Sequence, residues 1–73
     1  MRDEVVIGGH YRHFKGNAYK VIAVAKHSET LEPLVVYRAL YGDGDVWVRP
    51  LAEFTDTVTR EGKTYRRFTE IEA

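Results

Sequence analysis

Apolar and polar positions alternate with a period near two along most of this chain, the spacing of strands with one face toward a core. Residues 10–14 read as a short strand ended by Lys15-Gly16-Asn17, whose Gly and Asn tolerate positive φ. Residues 18–27 are rich in β-branched and small apolar side chains. Tyr19, Val21, Ala23 and Ala25 would share one face of that strand, with Lys20, Ile22, Val24 and Lys26 on the other. The two lysines make the Tyr19 and Val21 face the better core candidate. Ser28-Glu29-Thr30-Leu31-Glu32-Pro33 is polar, closes on proline and reads as a hairpin loop.

Residues 34–41 carry the strongest strand pattern, with Leu34, Val36, Arg38 and Leu40 on one face and Val35, Tyr37, Ala39 and Tyr41 on the other. Gly42-Asp43-Gly44-Asp45 then makes a tight turn into Val46-Trp47-Val48-Arg49. Pairing Tyr41 with Val46 sets Leu40 against Trp47, which places Trp47 with Leu40 and Arg38 opposite Tyr37. Pro50-Leu51-Ala52-Glu53-Phe54 breaks the period of two and reads as one helical turn opened by proline. Residues 55–59 and 63–69 are expected to pair around Arg60-Glu61-Gly62.

These elements predict a mostly β fold, either a small SH3-like partly open barrel or a curled antiparallel sheet, with one short helical turn. Residues 1–73 form one domain with a core over about 9–69. The SH3-like order of elements is an analogy that carries no function. Val5-Val6-Ile7, ahead of Gly8-Gly9, either adds an edge strand or pairs with another copy of the chain.

Composition narrows the functional classes. A chain of 73 residues buries only about 60% of the surface its unfolded form exposes, so the core is thin. The absence of cysteine removes disulfides, zinc–thiolate sites and thiol nucleophiles. The Met1-Arg2-Asp3-Glu4 start lacks a signal-peptide layout, and no apolar run is long enough to span a bilayer. A cytoplasmic protein with no membrane contact is the expectation. The net charge of zero argues against a surface wholly built for nucleic acid, yet residues 9–27 hold Arg12, Lys15, Lys20, Lys26 and all three histidines without one carboxylate. Such a stripe is ordinarily a solvated face, and its functional reading is contact with phosphates.

Four stretches, Tyr11-Arg12-His13-Phe14-Lys15-Gly16, His27-Ser28-Glu29-Thr30, Val35-Val36-Tyr37 with Leu40-Tyr41, and Trp47-Val48-Arg49-Pro50, together resemble a family of small bacterial proteins known only as a domain of unknown function. The resemblance runs from about residue 9 to 68 and implies a free-standing cytoplasmic domain. It brings no activity and no established site. Arg66 stands where that family usually has proline, which bears on local turn or edge geometry.

The candidate chemistry is sparse. His27-Ser28-Glu29 has the residue types of a nucleophilic site, but adjacent residues at a strand end point in different directions, and a turn capped by side chains explains them as well. His10 and His13 fall on opposite faces of a strand, so no metal site is expected, nor any cofactor. Aromatics near arginines say more, because a guanidinium stacked on a ring offers a flat surface and bidentate donors to a carboxylate, phosphate or base. The leading expectation is a non-enzymatic binding module with a patch of Tyr37, Arg38, Trp47 and Arg49, rimmed by His13, His27 and Glu29. Its partner would be a peptide, a protein or a small anionic ligand. The alternatives are single-stranded nucleic acid held by Arg12, Lys15, Lys20 and Lys26, and a small hydrolase-like enzyme using His27 with Glu29.

Overall fold

The computed structural model describes residues 5–71, so the Met1-Arg2-Asp3-Glu4 start read above lies outside the described residues. Among the described residues seven strands and one helical turn follow in the order β1 (His10–His13), β2 (Ala18–Lys26), β3 (Pro33–Ala39), β4 (Val46–Pro50), α1 (Leu51–Phe54), β5 (Thr57–Arg60), β6 (Lys63–Arg66) and β7 (Phe68–Ile71). Five strands make one antiparallel sheet in the order β4-β3-β2-β1-β7, and β5 pairs only with β6. The sheets do not close into a barrel. Val5-Val6-Ile7 forms no strand; Val5 packs against the core and Gly8 bonds back to Val21.

Two registers depart from simple alternation. In β2, Tyr19 pairs with Ala39 and Val21 with Tyr37, but Ala23 then pairs with Val36 and Val24 with Val35. Ile22 is therefore a β-bulge, and beyond it the faces exchange: Val24, not Ala23 or Ala25, shares the sheet face of Val21 and Val35, though it lies outside the core and is exposed. In β3–β4, Tyr37 pairs with Trp47 and Arg38 with Val46. That register is three residues from the one expected, an odd slip that turns β4 over and puts Trp47 on the same face as Tyr37. The cause is the connection. The loop runs from residue 40 to 45, with positive φ at Gly42 and Gly44, and Ala39 donates to the Asp45 carbonyl at 2.8 Å to close it.

The β5–β6 hairpin turns on Glu61 (φ 53°) and Gly62 (φ 79°), the two consecutive left-handed residues of a type I′ turn. The strand expected over 63–69 is broken at Arg67, whose amide donates to the Asp56 carbonyl. Past that break the chain changes sheets, and β7 pairs with β1, Phe68 opposite His13 and Ile71 opposite His10.

The core is aromatic. Tyr11, Val21, Val35, Tyr37, Ala39, Phe54 and Phe68 are buried. Phe54 stacks on Phe68 at 4.0 Å between centroids and 5° between planes, while Tyr11 and Tyr37 meet Phe54 edge-on at 5.4 Å. The single helical turn delivers Phe54 to this position. Pro50, at φ −54°, enters the turn without a donor that would go unpaired, and the Thr55 hydroxyl donates to the Leu51 carbonyl at 2.9 Å. Tyr19 lies at the margin, its hydroxyl 2.8 Å from that of Tyr41. Burial and that hydrogen bond push the Tyr19 hydroxyl up to about 12.

Candidate functional site

The side chains expected to form one patch are scattered over the fold. Tyr37 is in the core, and its hydroxyl accepts a hydrogen bond from Arg49 Nε at 3.3 Å. Arg49 also lies 5.7 Å over the Phe68 ring and 3.6 Å from Glu53, so this arginine closes the core's open side. Trp47 sits on the same face as Tyr37 but beyond the core margin, half exposed on an edge strand. Arg38 is on the opposite face, opposite Lys20 and Val46.

His13 packs edge-on against Phe68 at 4.9 Å, near the β1–β2 turn. His27 and Glu29 stand in the β2–β3 loop, at the far end of a nine-residue strand, roughly 25 Å away. Histidine 27 is occupied locally: its Nδ1 accepts the Glu29 amide at 3.1 Å and the Thr30 amide at 3.3 Å. Those bonds cap the turn, and neither comes from the Ser28 hydroxyl or the Glu29 carboxylate. His10 and His13 take opposite faces of β1, as their spacing requires.

The structure instead gathers a different group around the β1–β2 turn. A concavity of about 250 Å³ is lined by Arg12, His13, Phe14, Gly16, Tyr65, Arg66, Thr69 and Ile71. Three segments build it. Arg12 and Thr69 are cross-strand neighbours in β1 and β7, Phe14 follows β1, and Tyr65 and Arg66 come from β6. One main-chain bond ties the hairpin to the sheet, Phe14 N–H to the Arg67 carbonyl at 2.9 Å, and a second, Arg67 N–H to the Asp56 carbonyl at 3.0 Å, closes the hairpin's base. An ion pair locks the same junction: Arg67 Nε and Nη2 donate to the two Asp56 oxygens at 2.7 and 3.3 Å. That contact holds the Asp56 carboxyl below its ordinary value and raises the Arg67 guanidinium.

The floor is aromatic and the rim basic. Phe14 and Tyr65 lie nearly parallel, 21° apart with centroids at 6.4 Å. Arg60 and Lys15 stand 5.4 and 5.9 Å from the Phe14 centroid. Arg12 is held upright by one bond from Nη1 to the Gly16 carbonyl at 2.9 Å, which leaves its other donors unengaged by that contact. Among the described residues no carboxylate lines the cavity. Whereas Arg49 and Arg67 are paired with Glu53 and Asp56, no ion pair joins Arg12, Lys15, Arg60 or Arg66 to an acid among the described residues. His13 contributes an electrostatic reading of the place. Its pKa is lowered, first by burial and then by Arg49, Arg67 and Lys15, while Nδ1 accepts the Lys15 amide at 3.1 Å.

Of the basic residues singled out in the sequence, Arg12 and Lys15 belong to this site. Lys20 is on the outer sheet face, in a cross-strand row with His10 and Arg38, and Lys26 lies at the distant end of β2 opposite Pro33. Phe14, Arg60, Tyr65 and Arg66 are site residues that the sequence reading does not assign. The signal for them was present in Arg60, Lys63, Arg66 and Arg67, four cations flanking Tyr65 within eight residues of a chain end otherwise rich in acids.

Fold and site together define a small antiparallel β domain with a basic, aromatic-floored concavity where a C-terminal hairpin meets the sheet. The chain belongs to the family described as protein of unknown function (DUF1653), whose model matches residues 9–70. It is similar to a protein of that family from Bordetella bronchiseptica known from a crystal structure, with 33% identity and a TM-score of 0.79 over 88% of this chain and 85% of that one. No curated protein matches the sequence. Among the described residues no helix is long and apolar enough to cross a membrane.

Proposed function

We propose that this domain is a non-enzymatic binding module whose ligand is a small planar anion held in the concavity between the β1–β2 turn and the β5–β6 hairpin. One observation carries the reading: separate segments converge to set arginines beside a stacked Phe14–Tyr65 floor, in a hollow that no carboxylate of the described residues lines. The chemistry fits a carboxylate or phosphate joined to a ring, the ring resting on the aromatics and the anion taking Arg12 and Arg66. Size limits the ligand, because about 250 Å³ falls below the roughly 300–1,000 Å³ of sites for drug-sized molecules. A ring and its acid group occupy it, and the sugar that joins them in a nucleotide lies outside, in solvent.

Isothermal titration with adenosine monophosphate, beside neutral adenosine, tests this. The monophosphate is expected to bind with a Kd on the order of 0.1 mM. Arg66→Ala should weaken it about tenfold, the scale of one charge-assisted hydrogen bond. Equal affinity for both compounds, or none for either, refutes the proposal.

A second reading has its own support. His10, Lys20 and Arg38 form a cross-strand row on the sheet face that Arg12 also occupies. A single-stranded nucleic acid could place one base in the concavity and run its phosphates along that row. Its affinity would fall steeply with salt and depend on Lys20 and Arg38, which a single small anion never reaches.

A further inference from the structure

Strand β4 is an edge of the sheet and is unlike a protected edge. Natural edges are blunted by lysine, by inward charges or by proline placed within the strand. Here the middle of the strand is Val46-Trp47-Val48, exposed to 49%, 50% and 56%, and Pro50 enters only at its end. The direction of its backbone groups follows from the ladder. Ala39 donates to the Asp45 carbonyl, so Ala39–Asp45 is a hydrogen-bonded pair, and by alternation so are Tyr37–Trp47 and Val35–Arg49. The main-chain N–H and C=O groups of Val46 and Val48 therefore point outward, away from β3.

The sequence across this edge, Asp45-Val46-Trp47-Val48-Arg49, is complementary to its own reverse. We infer that the edge is a self-association surface, in which β4 of one copy pairs antiparallel with β4 of a second about a two-fold axis through Trp47. In that register Val46 faces Val48 of the other copy, so both outward backbone pairs exchange hydrogen bonds. Trp47 faces Trp47 in the closer, non-hydrogen-bonded position, where large side chains meet. Asp45 faces Arg49 from either side, an opposite-charge pair made twice by symmetry. Arg49 keeps its contacts to Tyr37 and Glu53 in this arrangement, since a guanidinium carries five donors. Pro50 has no N–H and ends the ladder there, which confines pairing to this short segment. The interface is small, and the association is correspondingly weak, with a Kd on the order of 0.1 mM.

Sedimentation equilibrium over about 10 µM to 1 mM, a range bracketing that constant, together with amide hydrogen exchange read by NMR, tests the inference. The expected result is a monomer–dimer equilibrium in which the Val46 and Val48 amides gain protection as concentration rises. Val48→Lys and Asp45→Lys alter exposed residues, so circular dichroism should show an unchanged fold while each weakens the dimer about tenfold or more. A monomer at every concentration overturns the inference. So does a dimer that survives both substitutions with these two amides unprotected. Protection of the same amides only on adding an extended apolar peptide, with the chain alone monomeric, also overturns it and gives the edge to another protein.

Discussion

Replacing Phe54 by alanine removes the side chain on which the core closes. The ring is 1% exposed, stacks on Phe68 and meets Tyr11 and Tyr37 edge-on, so the vacancy would be walled largely by rigid rings. Buried Phe→Ala changes cost roughly 3–5 kcal/mol, and lost aromatic pairing moves this case toward the upper end. A chain of this length has a total stability of about 4–11 kcal/mol, so the substitution consumes a third or more of it. For a domain this size each kcal/mol moves Tm by about 4–8 °C, which puts the expected drop above about 12 °C. Urea denaturation and thermal melts by circular dichroism measure both quantities. Trp47→Ala supplies the contrast: although tryptophan is larger, this one is half exposed, and its loss should stay near 0.5 kcal/mol in the monomer. A Phe54→Ala cost below about 1 kcal/mol, or a larger cost for Trp47→Ala, would refute the assignment of core and edge.

Further predictions concern charge and strain. The lowered pKa of His13 favours its neutral form in the folded state, so stability should be level above the ordinary value of 6.5 and fall as pH drops through the lowered pKa; His13→Gln should flatten that slope in acid melts. The Asp56 carboxyl is held low by Arg67, so its contribution is present above the ordinary 3.8 and is lost on acidification below that; at neutral pH Asp56→Ala should cost about 0.5–1 kcal/mol in urea titrations, as the pair is partly exposed. Tyr19 is shifted the other way, to about 12, and stability should decline as pH rises from 10.0 through that value, an effect Tyr19→Phe removes. Leu31 holds φ 64° while 65% exposed, and Leu31→Asn should raise stability by about 0.5–1 kcal/mol, read as a higher denaturation midpoint.

The meander, the single helical turn and the last hairpin were legible because local chemistry dictates them. Gly16 and Asn17 turn the first hairpin, Pro50 opens the helical turn, and Gly62 turns the last hairpin. What escaped was set by pairing at a distance. Residues 21–24 are apolar on both faces, so nothing in Val21-Ile22-Ala23-Val24 marks Ile22 as a bulge. The β3–β4 register depended on loop length, and two glycines in Gly42-Asp43-Gly44 permit a wide loop as readily as a tight one. That slip alone separates Trp47 from Arg38. The concavity was the least legible feature, for Phe14 and Tyr65 are 51 positions apart (65 − 14) and meet only because β7 returns to pair with β1. Arg12 and Lys15 could be singled out from composition, but their partners required that closure.

Amide chemical-shift mapping of the labelled domain with adenosine monophosphate tests the binding site most directly. Progressive, saturating shifts confined to residues 12–16 and 60–69, absent with adenosine and lost in Arg12→Ala and Arg66→Ala, are the predicted result. Unmoved resonances there at millimolar ligand, or shifts centred instead on Trp47 or His27, would contradict it.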